Sequence, residues 1–541
     1  MRQTFKQWGW MLPVLILCIG MSAAHLNDDA IWFDEWITYF ISGTGAFDAP
    51  QVSGTSCASI DDFAEFAGVI CLAAIDNSWP PAFFILLYGW DYLSGGVTFT
   101  DRVLALLLAL LAVSALYRLG KRLISAEVGL MSALLLATSA FFVFYAHEVR
   151  GYTLYVLATV LSAYCYWLLL DDRYHHQRAV RWAFGLSVAL ALYSHYIAAA
   201  GVLGIAIYHL LFQRSDALIK RGAAADADPQ YQTWLVTLKV WFNGCLLYAP
   251  WGAVLIISFI NESITQRSVD TVTLLQGMVY GFSNDLWWLA LPLIALALLR
   301  WQTDAVRFVG IWGATILGVS VVGNLFADFL FHPRHIIGML PAFALLVAIG
   351  IHQLAPSRRG LRWVIVGIWV GAGIASSATP AFINQIPRHV STVSTPAMQT
   401  IIDTGAQCLR DDDLMIVSVD EPRDEWIHDQ PLDYYLGAYD LVQLGTLVTD
   451  ASTNPSIFLP ADLRGAPYAE RVDAITADVE TVWVLSLVDL PLAGELLHLD
   501  RLLGQAGFAS CGTIIDNAGV IGTAYSRGVC EVTCTDERTD G

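Results

Sequence analysis

Charged residues are scarce in this chain, at 14% of its 541 positions, whereas hydrophobic residues make up 56%. A water-soluble protein has no interior large enough for so much apolar surface, so the composition predicts a polytopic membrane protein. Lysine is absent from residues 381–541, where 8 arginines face 25 acidic residues. Residues 1–380 hold 21 basic and 23 acidic residues. We therefore predict a membrane domain over 1–380 and an acidic, water-soluble domain over 381–541. The acidic balance argues against nucleic acid as a partner.

Several common functional signatures are also missing. The chain has no Walker sequence, no GxGxxG between a strand and a helix, and no CxxC pair. Phosphate loops, dinucleotide folds and zinc fingers therefore have no support. Cys57 and Cys71 predict a disulfide in the first outer loop, because even cysteine numbers on the oxidising side favour pairing. The acidic domain predicts up to two more, with three pairings open among Cys408, Cys511, Cys530 and Cys534.

Eleven apolar runs are long enough to cross a bilayer as helices. They occupy residues 8–25, 102–119, 126–145, 152–170, 182–196, 197–213, 236–258, 286–300, 308–325, 336–353 and 362–380. The fifth and sixth form a hairpin around the sequence YSHY. Cys18, Cys165 and Cys245 fall within spans, as small apolar residues. The first run also fits a cleaved signal peptide, because GMSAAHL contains small residues suited to cleavage.

Basic residues predict how these runs are oriented, since cytoplasmic loops are enriched in Lys and Arg. With a cytoplasmic N-terminus, the inner segments before residue 381 hold seventeen basic residues. The outer segments hold four: Arg102, Arg150, Arg267 and Arg334. An odd number of spans places 381–541 outside. We therefore predict a multi-pass protein of the plasma membrane with an extracytoplasmic C-terminal domain.

The apolar run 80–93 belongs by this reasoning to the first outer loop, residues 26–101. It is short, it contains Asp91, and as a span it would turn Lys121 and Arg122 outward. Pro80 and Pro81 favour a helix start, and the aromatic side chains suit the headgroup layer. We predict a helix lying in the outer interface.

Ionisable residues gather at the outer ends of the predicted spans. Asp34 and Glu35 follow the first run, and the sequence YAHEVRGYTLY carries His147, Glu148 and Arg150 between two runs. Carboxylates in this position act as a general base, bind a divalent cation, or simply face water. A Glu–Arg pair is also a common structural device. These readings stay open, but several acids on one face favour a site.

Arginine is uncommon in outer loops, because Lys and Arg are enriched on the cytoplasmic side. The predicted outer positions of Arg150 and Arg334 therefore need an explanation. A lipid-linked phosphate at headgroup depth provides one, because guanidinium groups bind phosphate oxygens in a bidentate way. His332 and His335 flank Arg334 and either bind the same anion or pack in the interface. His195 reaches the same face from the hairpin.

The order of these segments resembles a known family. An acidic pair follows the first span, then come NSWPPAFFILLY, RVLALLLALLAVSALYRLGKRL, YAHEVRGYTLY, the SHY hairpin and PRHIIGMLP. Together they resemble the membrane-embedded GT-C glycosyltransferases of the protein O-mannosyltransferase and lipid A aminoarabinose transferase group. The likeness covers about residues 1–355. Trp79 stands where many members have His, and His335 stands where many have Tyr.

The resemblance implies an inverting transfer of a sugar from a polyprenyl-phosphate donor to a glycan, lipid or protein acceptor. Asp34 would be the general base, and Glu148 would orient the acceptor or an optional divalent metal, Mg²⁺ or Mn²⁺, shared with Asp34. The remaining positions are implied as substrate-binding residues: Glu35, His147, Arg150, His195, Arg334 and His335.

The acidic domain predicts a sheet with helices. The sequences DLMIVSVD, TVWVLSLVDL, FASCGTIID and GVIGTAYSR are typical strands, and PLAGELLHLDRLLGQAG is typical of a helix. Two other functions stay open for the whole chain. A transporter or flippase would place ionisable groups at mid-membrane or in repeated halves, and a scaffold with an outer sensing domain would need no catalytic residues.

Overall fold

A computed structural model defines the fold of most of the apolar region and part of the acidic one. The described residues are 9–23, 26, 33–42, 70, 73, 79–95, 97–171, 173–213, 229–261, 271–327, 333–354, 358–378, 408, 413–417, 440–443, 476–477, 479–487, 493–517 and 520–530. Two compact units divide the chain. Met1–Asn27 and Thr38–Pro387 form the membrane unit, and Asp28–Ile37 and Arg388–Gly541 form the C-terminal unit.

The apolar region is helical, because nearly every run is too long and too continuous for a strand. Its described helices are α1 Met11–Ala23, α2 Phe33–Ser42, α3 Ala82–Ser94, α4 Thr98–Leu123, α5 Ala126–Ala137, α6 Ala140–Ala146, α7 Tyr152–Leu169, α8 Arg178–Ser194, α9 Ala198–Phe212, α10 Pro229–Leu247, α11 Ala249–Asn261, α12 Thr271–Ser283, α13 Trp287–Leu298, α14 Asp304–Ala327, α15 Leu340–Leu354 and α16 Arg359–Ala378. A 3₁₀ segment, Pro333–Met339, leads into α15.

Five of these helical segments are long and apolar enough to cross a membrane, or seven if each of two bent pairs counts as one span. The chain is thus a multi-pass membrane protein. The core includes the fully buried rings of Phe141 on α6, of Tyr155 and Tyr166 on α7, and of Trp312 on α14. The prediction of a helix after Pro81 is confirmed by α3.

Three predicted helices differ from the structure. The run 126–145 is not one straight helix, since α5 and α6 meet at a bend of 64°. The run 286–300 is the second arm of a pair bent by 87°, whose first arm, α12, the sequence did not predict. The run 236–258 is divided between α10 and α11. Hydropathy detects apolar length but not direction, which explains all three differences.

The bend between α5 and α6 is held by a side chain from the other bend. Asn284 is buried with φ +50°. Its Nδ2 donates to the Thr138 carbonyl at 3.1 Å, and its Oδ1 accepts from the Ala140 amide at 2.9 Å. A broken helix leaves backbone groups without partners, and in an apolar setting those groups must be satisfied by side chains. Asn284 therefore fixes the direction of α6 and of the residues that follow it.

Replacing Asn284 by alanine should lower the thermal unfolding midpoint in detergent. The change leaves a buried amide and a buried carbonyl without partners, at about 1–3 kcal/mol for each group. Asp285→Ala is the matched control, because Asp285 also has positive φ (64°) but is exposed. Tryptophan fluorescence measures the unfolding midpoints of both variants. Equal midpoints would show that the two hydrogen bonds contribute nothing to stability.

The C-terminal unit contains a five-stranded sheet in the order β2-β1-β3-β5-β4. Its elements are β1 Leu414–Val417, β2 Asp440–Gln443, β3 Thr481–Leu487, α17 Ala493–Gln505, β4 Ala509–Asn517 and β5 Val520–Ser526. Strands β1, β2 and β3 are parallel, and β5 pairs antiparallel with β3 and β4. The four predicted strands and the helix are confirmed. The sequence did not predict β2.

Cysteine pairing in the C-terminal unit is partly resolved. Cys511 and Cys530 form a disulfide with a Cα–Cα distance of 5.6 Å, and Cys408 is also disulfide-bonded. Of the three pairings that the sequence left open, this bond selects the one that joins Cys511 to Cys530. Cys18, Cys165 and Cys245 are free thiols in helices, as predicted. Cys57, Cys71 and Cys534 lie outside the described residues.

Candidate functional site

The connection between α6 and α7 carries the predicted His147, Glu148 and Arg150. All three side chains are buried. The Arg150 amide donates to the Glu148 carbonyl at 2.7 Å, and His147 Nδ1 lies 3.0 Å from the Val143 carbonyl, which accepts its proton. These contacts tie the connection to the end of α6. The predicted polar cluster is therefore a compact turn whose backbone is fixed by its own hydrogen bonds.

Tyrosine rings close this turn at its base. The rings of Tyr145 and Tyr152 lie 5.0 Å apart in an edge-to-face contact, one on each side of the connection. Such pairs contribute about 0.5–1.5 kcal/mol beyond their buried area. Glu148 and Arg150 lie in the connection between these two tyrosines.

Arg150 connects this turn to the first outer loop. Its Nη1 donates to Thr38 Oγ1 at 3.1 Å, and its guanidinium carbon lies 4.6 Å from the centre of the Trp79 ring. A cation–π contact of this kind holds a charged group beside an apolar wall and favours arginine over lysine. Trp79 thus orients Arg150.

Arg150 lines a small cleft formed by four separated parts of the chain. Its other described lining residues are Thr38, Trp79, Pro80, Phe83, Phe84, Gly151, Tyr152, Ser194 and His195. The wall is mostly apolar, with a few polar groups that converge, as is common in ligand pockets. The N-terminal half of α3, predicted from the Pro-Pro sequence, supplies the apolar side.

His195 lies in the turn between α8 and α9, outside both helices. Its ring stacks on Tyr155 at 4.7 Å with an interplanar angle of 12°. The Ile197 amide donates to His195 Nδ1 at 3.2 Å, which leaves the ring proton on Nε2. Burial, together with the positive charges of Arg150 and Arg334, lowers the pKa of His195 to about 3. The imidazole is therefore a neutral group facing a cationic environment.

Arg334 and His335 approach from the 3₁₀ segment, and both are buried. The Arg334 guanidinium carbon lies 5.9 Å from the Tyr152 ring centre, and the rings of His335 and His195 are 6.2 Å apart. Gly338 permits this approach, since a Cβ there would lie 2.3 Å from the Tyr155 ring. The same arginines and burial act on Tyr196: burial raises its pKa to about 12, although Arg334 and Arg150 oppose the rise.

Asp34 and Glu35 occupy the first turn of α2. Glu35 is fully buried, and both acids belong to the C-terminal unit, which includes Asp28–Ile37. The side chain of Asp34, and His332 as a whole, lie outside the described residues. The predicted carboxylate pair therefore sits on an ordered helix, with its catalytic role still a prediction.

A metal site cannot be assembled from the described side chains alone. Within the described part of the chain, no group of three or more His, Cys, Asp and Glu residues is placed to hold a cation. Glu148 on its own does not supply enough ligands for Mg²⁺ or Mn²⁺, which take about six.

The neutral state of His195 predicts a dependence of stability on pH. The folded pKa lies below the ordinary value of about 6.5, so only the unfolded chain takes up this proton as the pH falls from 6.5 towards 3. Folding should therefore weaken over that range, and His195→Gln should reduce the loss. Unfolding midpoints at pH 7 and pH 4.5 test this. The exposed His176→Gln is the control, and an equal effect of both variants would refute the assignment.

Comparisons with known proteins agree with this arrangement. The family model for dolichyl-phosphate-mannose-protein mannosyltransferase matches residues 78–225, which include α3, the Glu148–Arg150 turn and His195. No relative among curated protein sequences matches the chain. The structure of ArnT from Cupriavidus metallidurans bound to undecaprenyl phosphate aligns over 98% of this chain and 100% of its own, with a TM-score of 0.56 and 13% identity.

This chain has the GT-C fold. The family match and the structural match both point to it, and the prediction of a GT-C membrane protein is confirmed at that level. The oligosaccharyltransferase of Archaeoglobus fulgidus, solved with zinc and sulfate, also aligns, over 96% of this chain and 73% of its own, with a TM-score of 0.50 and 12% identity. This chain shares little sequence with either protein.

Several members of the site were not predicted. Thr38, Tyr155 and Trp79 contact the predicted residues, yet none carries a charge that would mark it in the sequence. In the sequence, Trp79 stands out only because many GT-C glycosyltransferases have His before the two prolines. The predicted residues Arg150 and His195 line the cleft, Arg334 and His335 adjoin it, and Glu148 and His147 lie in the turn behind it.

Proposed function

We propose that this protein is an inverting glycosyltransferase that moves a sugar from a polyprenyl-phosphate donor to an acceptor at the outer face of the plasma membrane. The observation that carries the proposal is the arrival of two buried arginines, Arg150 and Arg334, around the neutral His195 from distant parts of the chain. Guanidinium groups that converge in this way can bind an anion through paired N–H donors. A phosphate monoester or diester is the anion that best suits them.

The physics of the donor supports this position. A sugar on a long polyprenyl phosphate stays with the bilayer, because each buried CH₂ contributes about 0.8 kcal/mol. Its phosphate and anomeric carbon are therefore held near the headgroups. An apolar wall from α3 beside a cationic group matches the chemistry of the two parts of such a molecule, its isoprenoid chain and its phosphate.

The reaction needs one base and one stabilised leaving group. In the proposed mechanism the Asp34 carboxylate takes the proton from the acceptor hydroxyl, whose oxygen forms a bond to the anomeric carbon. The bond from that carbon to the phosphate oxygen breaks, and its electron pair stays on the phosphate. Arg150 and Arg334 stabilise this developing charge, and attack opposite the leaving group inverts the anomeric centre.

Other residues would position the substrates. Glu148 and Glu35 would orient the acceptor, and His147, His195 and His335 would bind around the sugar or phosphate. Neutral His195 donates a hydrogen bond from Nε2 without adding a third positive charge. Should a divalent cation take part, Asp34 and Glu148 would be its ligands from this chain, and it would neutralise phosphate charge.

The relatives bind the kinds of molecule that this mechanism uses. The ArnT structure holds undecaprenyl phosphate. The archaeal oligosaccharyltransferase AglB from Archaeoglobus fulgidus, with a TM-score of 0.50 to this chain, was solved with an inhibitory peptide and a dolichol-phosphate. We propose a polyprenyl-phosphate donor here on the strength of those ligands and of the arginines. The acceptor is a glycan, a lipid or a protein.

The proposed topology has eleven spans, a cytoplasmic N-terminus and an extracytoplasmic acidic domain over 381–541. It follows from the distribution of basic residues. It puts Arg150, Arg334 and His195 on the outer side together with the acidic domain, which would help to recognise the acceptor.

The main alternative is a transporter or flippase for a lipid-linked or polar substrate. Within the described helices, the buried charges Asp101, Arg102 and Arg362 lie among the first five residues of α4 or α16 rather than at mid-helix. That distribution gives little support to a pathway across the membrane, whose ionisable groups lie inside it.

Release of free polyprenyl phosphate tests the proposal. Purified protein in proteoliposomes would receive polyprenyl-phosphate donors carrying different hexoses or pentoses, with a membrane extract as the source of acceptors. Mass spectrometry should detect free polyprenyl phosphate from at least one donor, and a new glycosylated product. Movement of intact donor between leaflets with no cleavage of any donor would support the flippase instead.

A further inference from the structure

One aromatic side chain packs against both elements that lead to the arginines of the candidate site. Phe282 is buried near the end of α12, just before the 87° bend. Its ring meets Phe141 of α6 at 5.3 Å and Phe343 of α15 at 5.8 Å, both in edge-to-face contacts. Helix α6 leads into the turn that carries Arg150, and α15 follows the 3₁₀ segment that carries Arg334. Phe282 therefore contacts the supports of both arginines.

The first connection runs from Phe282 to the turn between α6 and α7. The Phe141 ring meets Tyr145 at 5.0 Å, and the Tyr145 ring meets Tyr152 at 5.0 Å across the turn. Tyr152 lines the cleft together with Arg150. Because protein interiors are close-packed, a ring that moves displaces its neighbours. A shift at Phe282 is therefore passed through these ring contacts to the wall of the cleft.

The second connection runs from Phe282 to the 3₁₀ segment Pro333–Met339. Phe343 lies in the first turn of α15, which continues directly from that segment, and α12 also contacts the segment itself. The Arg334 guanidinium on this segment lies over the Tyr152 ring, with its carbon 5.9 Å from the ring centre. The two connections therefore meet again at Tyr152, beside the cleft.

Helix α12 packs tightly where Phe282 makes these contacts. A Cβ added at Gly281 would lie 2.8 Å from Cδ2 of Phe141, so the glycine permits the close approach of α12 to α6. On the other side, the Phe343 ring meets Trp369 of α16 at 6.4 Å, and both rings are buried. The Phe282 ring is thus enclosed between two helices that are themselves fixed by packing.

We propose that Phe282 is a positioning residue of the lipid-phosphate site, where it sets the separation between Arg150 and Arg334. The inference rests on the proposed function, in which both arginines bind the donor phosphate. Phe282 is not among the described residues that line the cleft, so it acts through Tyr152 and the 3₁₀ segment. Guanidinium groups bind phosphate in a bidentate way only where their N–H groups match its oxygens. A change in their separation therefore weakens binding.

A matched pair of variants tests this role. Phe282→Leu removes the ring and keeps the position apolar. Phe184→Leu is the control, because Phe184 is also fully buried but contacts Tyr166, near the C-terminal end of α7 and away from the cleft. Both variants should lower the unfolding midpoint to a similar extent, since each leaves a cavity in the core.

Two measurements separate positioning from stability. Native mass spectrometry in detergent gives the affinity for undecaprenyl phosphate, and hydrogen–deuterium exchange follows the backbone of residues 147–151 and 333–339. Phe282→Leu should weaken binding about tenfold, because small displacements of fixed groups are costly. It should also speed exchange in both segments. Phe184→Leu should change neither the affinity nor the exchange.

A second variant tests the same contact if Phe282→Leu does not fold. Gly281→Ala adds a methyl group against Phe141 instead of removing a ring. Gly318→Ala in α14 is its control, because a Cβ there meets nothing within 4 Å. Gly281→Ala should weaken undecaprenyl phosphate binding and alter exchange in residues 147–151, and Gly318→Ala should match the wild type.

The proposal is overturned if Phe282→Leu binds the lipid and exchanges like the wild type, or if Phe184→Leu has the same effect on both measurements. Failure of the proposed function gives a different result. A wild type that binds no undecaprenyl phosphate would refute the phosphate site. Faster exchange of both segments in Phe282→Leu alone would then still show that Phe282 positions them.

Discussion

Asp34→Asn should reduce sugar transfer by about 10²- to 10⁴-fold, the range that general-base catalysis contributes in enzymes. Asparagine keeps the size of the side chain but cannot accept the proton of the acceptor hydroxyl at neutral pH. The loss should appear in kcat, with little change in the KM for the lipid donor, because the donor phosphate binds to arginines. Initial rates in proteoliposomes across a range of donor concentrations separate the two parameters.

The control for this experiment is Asp285→Asn, an equal change at an exposed turn where asparagine tolerates the positive φ. It should transfer at the wild-type rate. Transfer by Asp34→Asn within threefold of the wild type would remove Asp34 as the base. The proposed arginine site for the phosphate would stand independently of that result.

Arg150→Gln should lower transfer by about 10²- to 10³-fold, the loss measured when a preorganised group that stabilises transition-state charge is removed. Arg150 is buried, donates to Thr38 and faces Trp79, so its charge is fixed in place before the phosphate departs. Arg150→Lys should recover only part of the rate, because lysine supplies the charge but not the planar fork. The measurement is kcat/KM for the lipid donor.

Folding must be separated from chemistry for this variant, since removing a buried arginine disturbs its partners. Thr38→Val removes the hydrogen bond to Arg150 but keeps the charge, and should cost far less activity than Arg150→Gln. If Arg150→Gln folds with a normal unfolding midpoint and transfers sugar at the wild-type rate, the leaving-group role is wrong. Equal losses in Thr38→Val and Arg150→Gln would indicate a structural role alone.

The sequence predicted the helices best where apolar runs are long and uninterrupted, as in α4, α7 and α14. It failed where direction changes within such a run. The bend after α5 depends on Asn284, which is 144 residues away from Ala140 along the chain. Hydrophobic periodicity contains no information about that contact, and it did not predict the short arm α12.

The candidate site divides in a similar way. Arg150 and Arg334 were predicted because a positive charge on the outer face contradicts the usual bias, which makes it a strong signal. The stacking of His195 on Tyr155 was not predicted, since a tyrosine within an apolar run looks like ordinary core. Gly338, whose lack of a side chain lets the 3₁₀ segment approach Tyr155, gave no signal either. The stacking of His195 and the approach of the 3₁₀ segment both depend on tertiary packing, which the local sequence does not encode.

Binding of undecaprenyl phosphate is the measurement that tests the lipid-phosphate site most directly. Native mass spectrometry of the wild type in detergent should show one bound lipid that phosphatidylcholine does not displace. The control variant Arg178→Gln, changed at an exposed residue, should bind the lipid equally well. Arg334→Gln should weaken that binding at least tenfold, with a normal unfolding midpoint. Undecaprenyl phosphate bound equally by the wild type and by a folded Arg334→Gln variant would contradict the account.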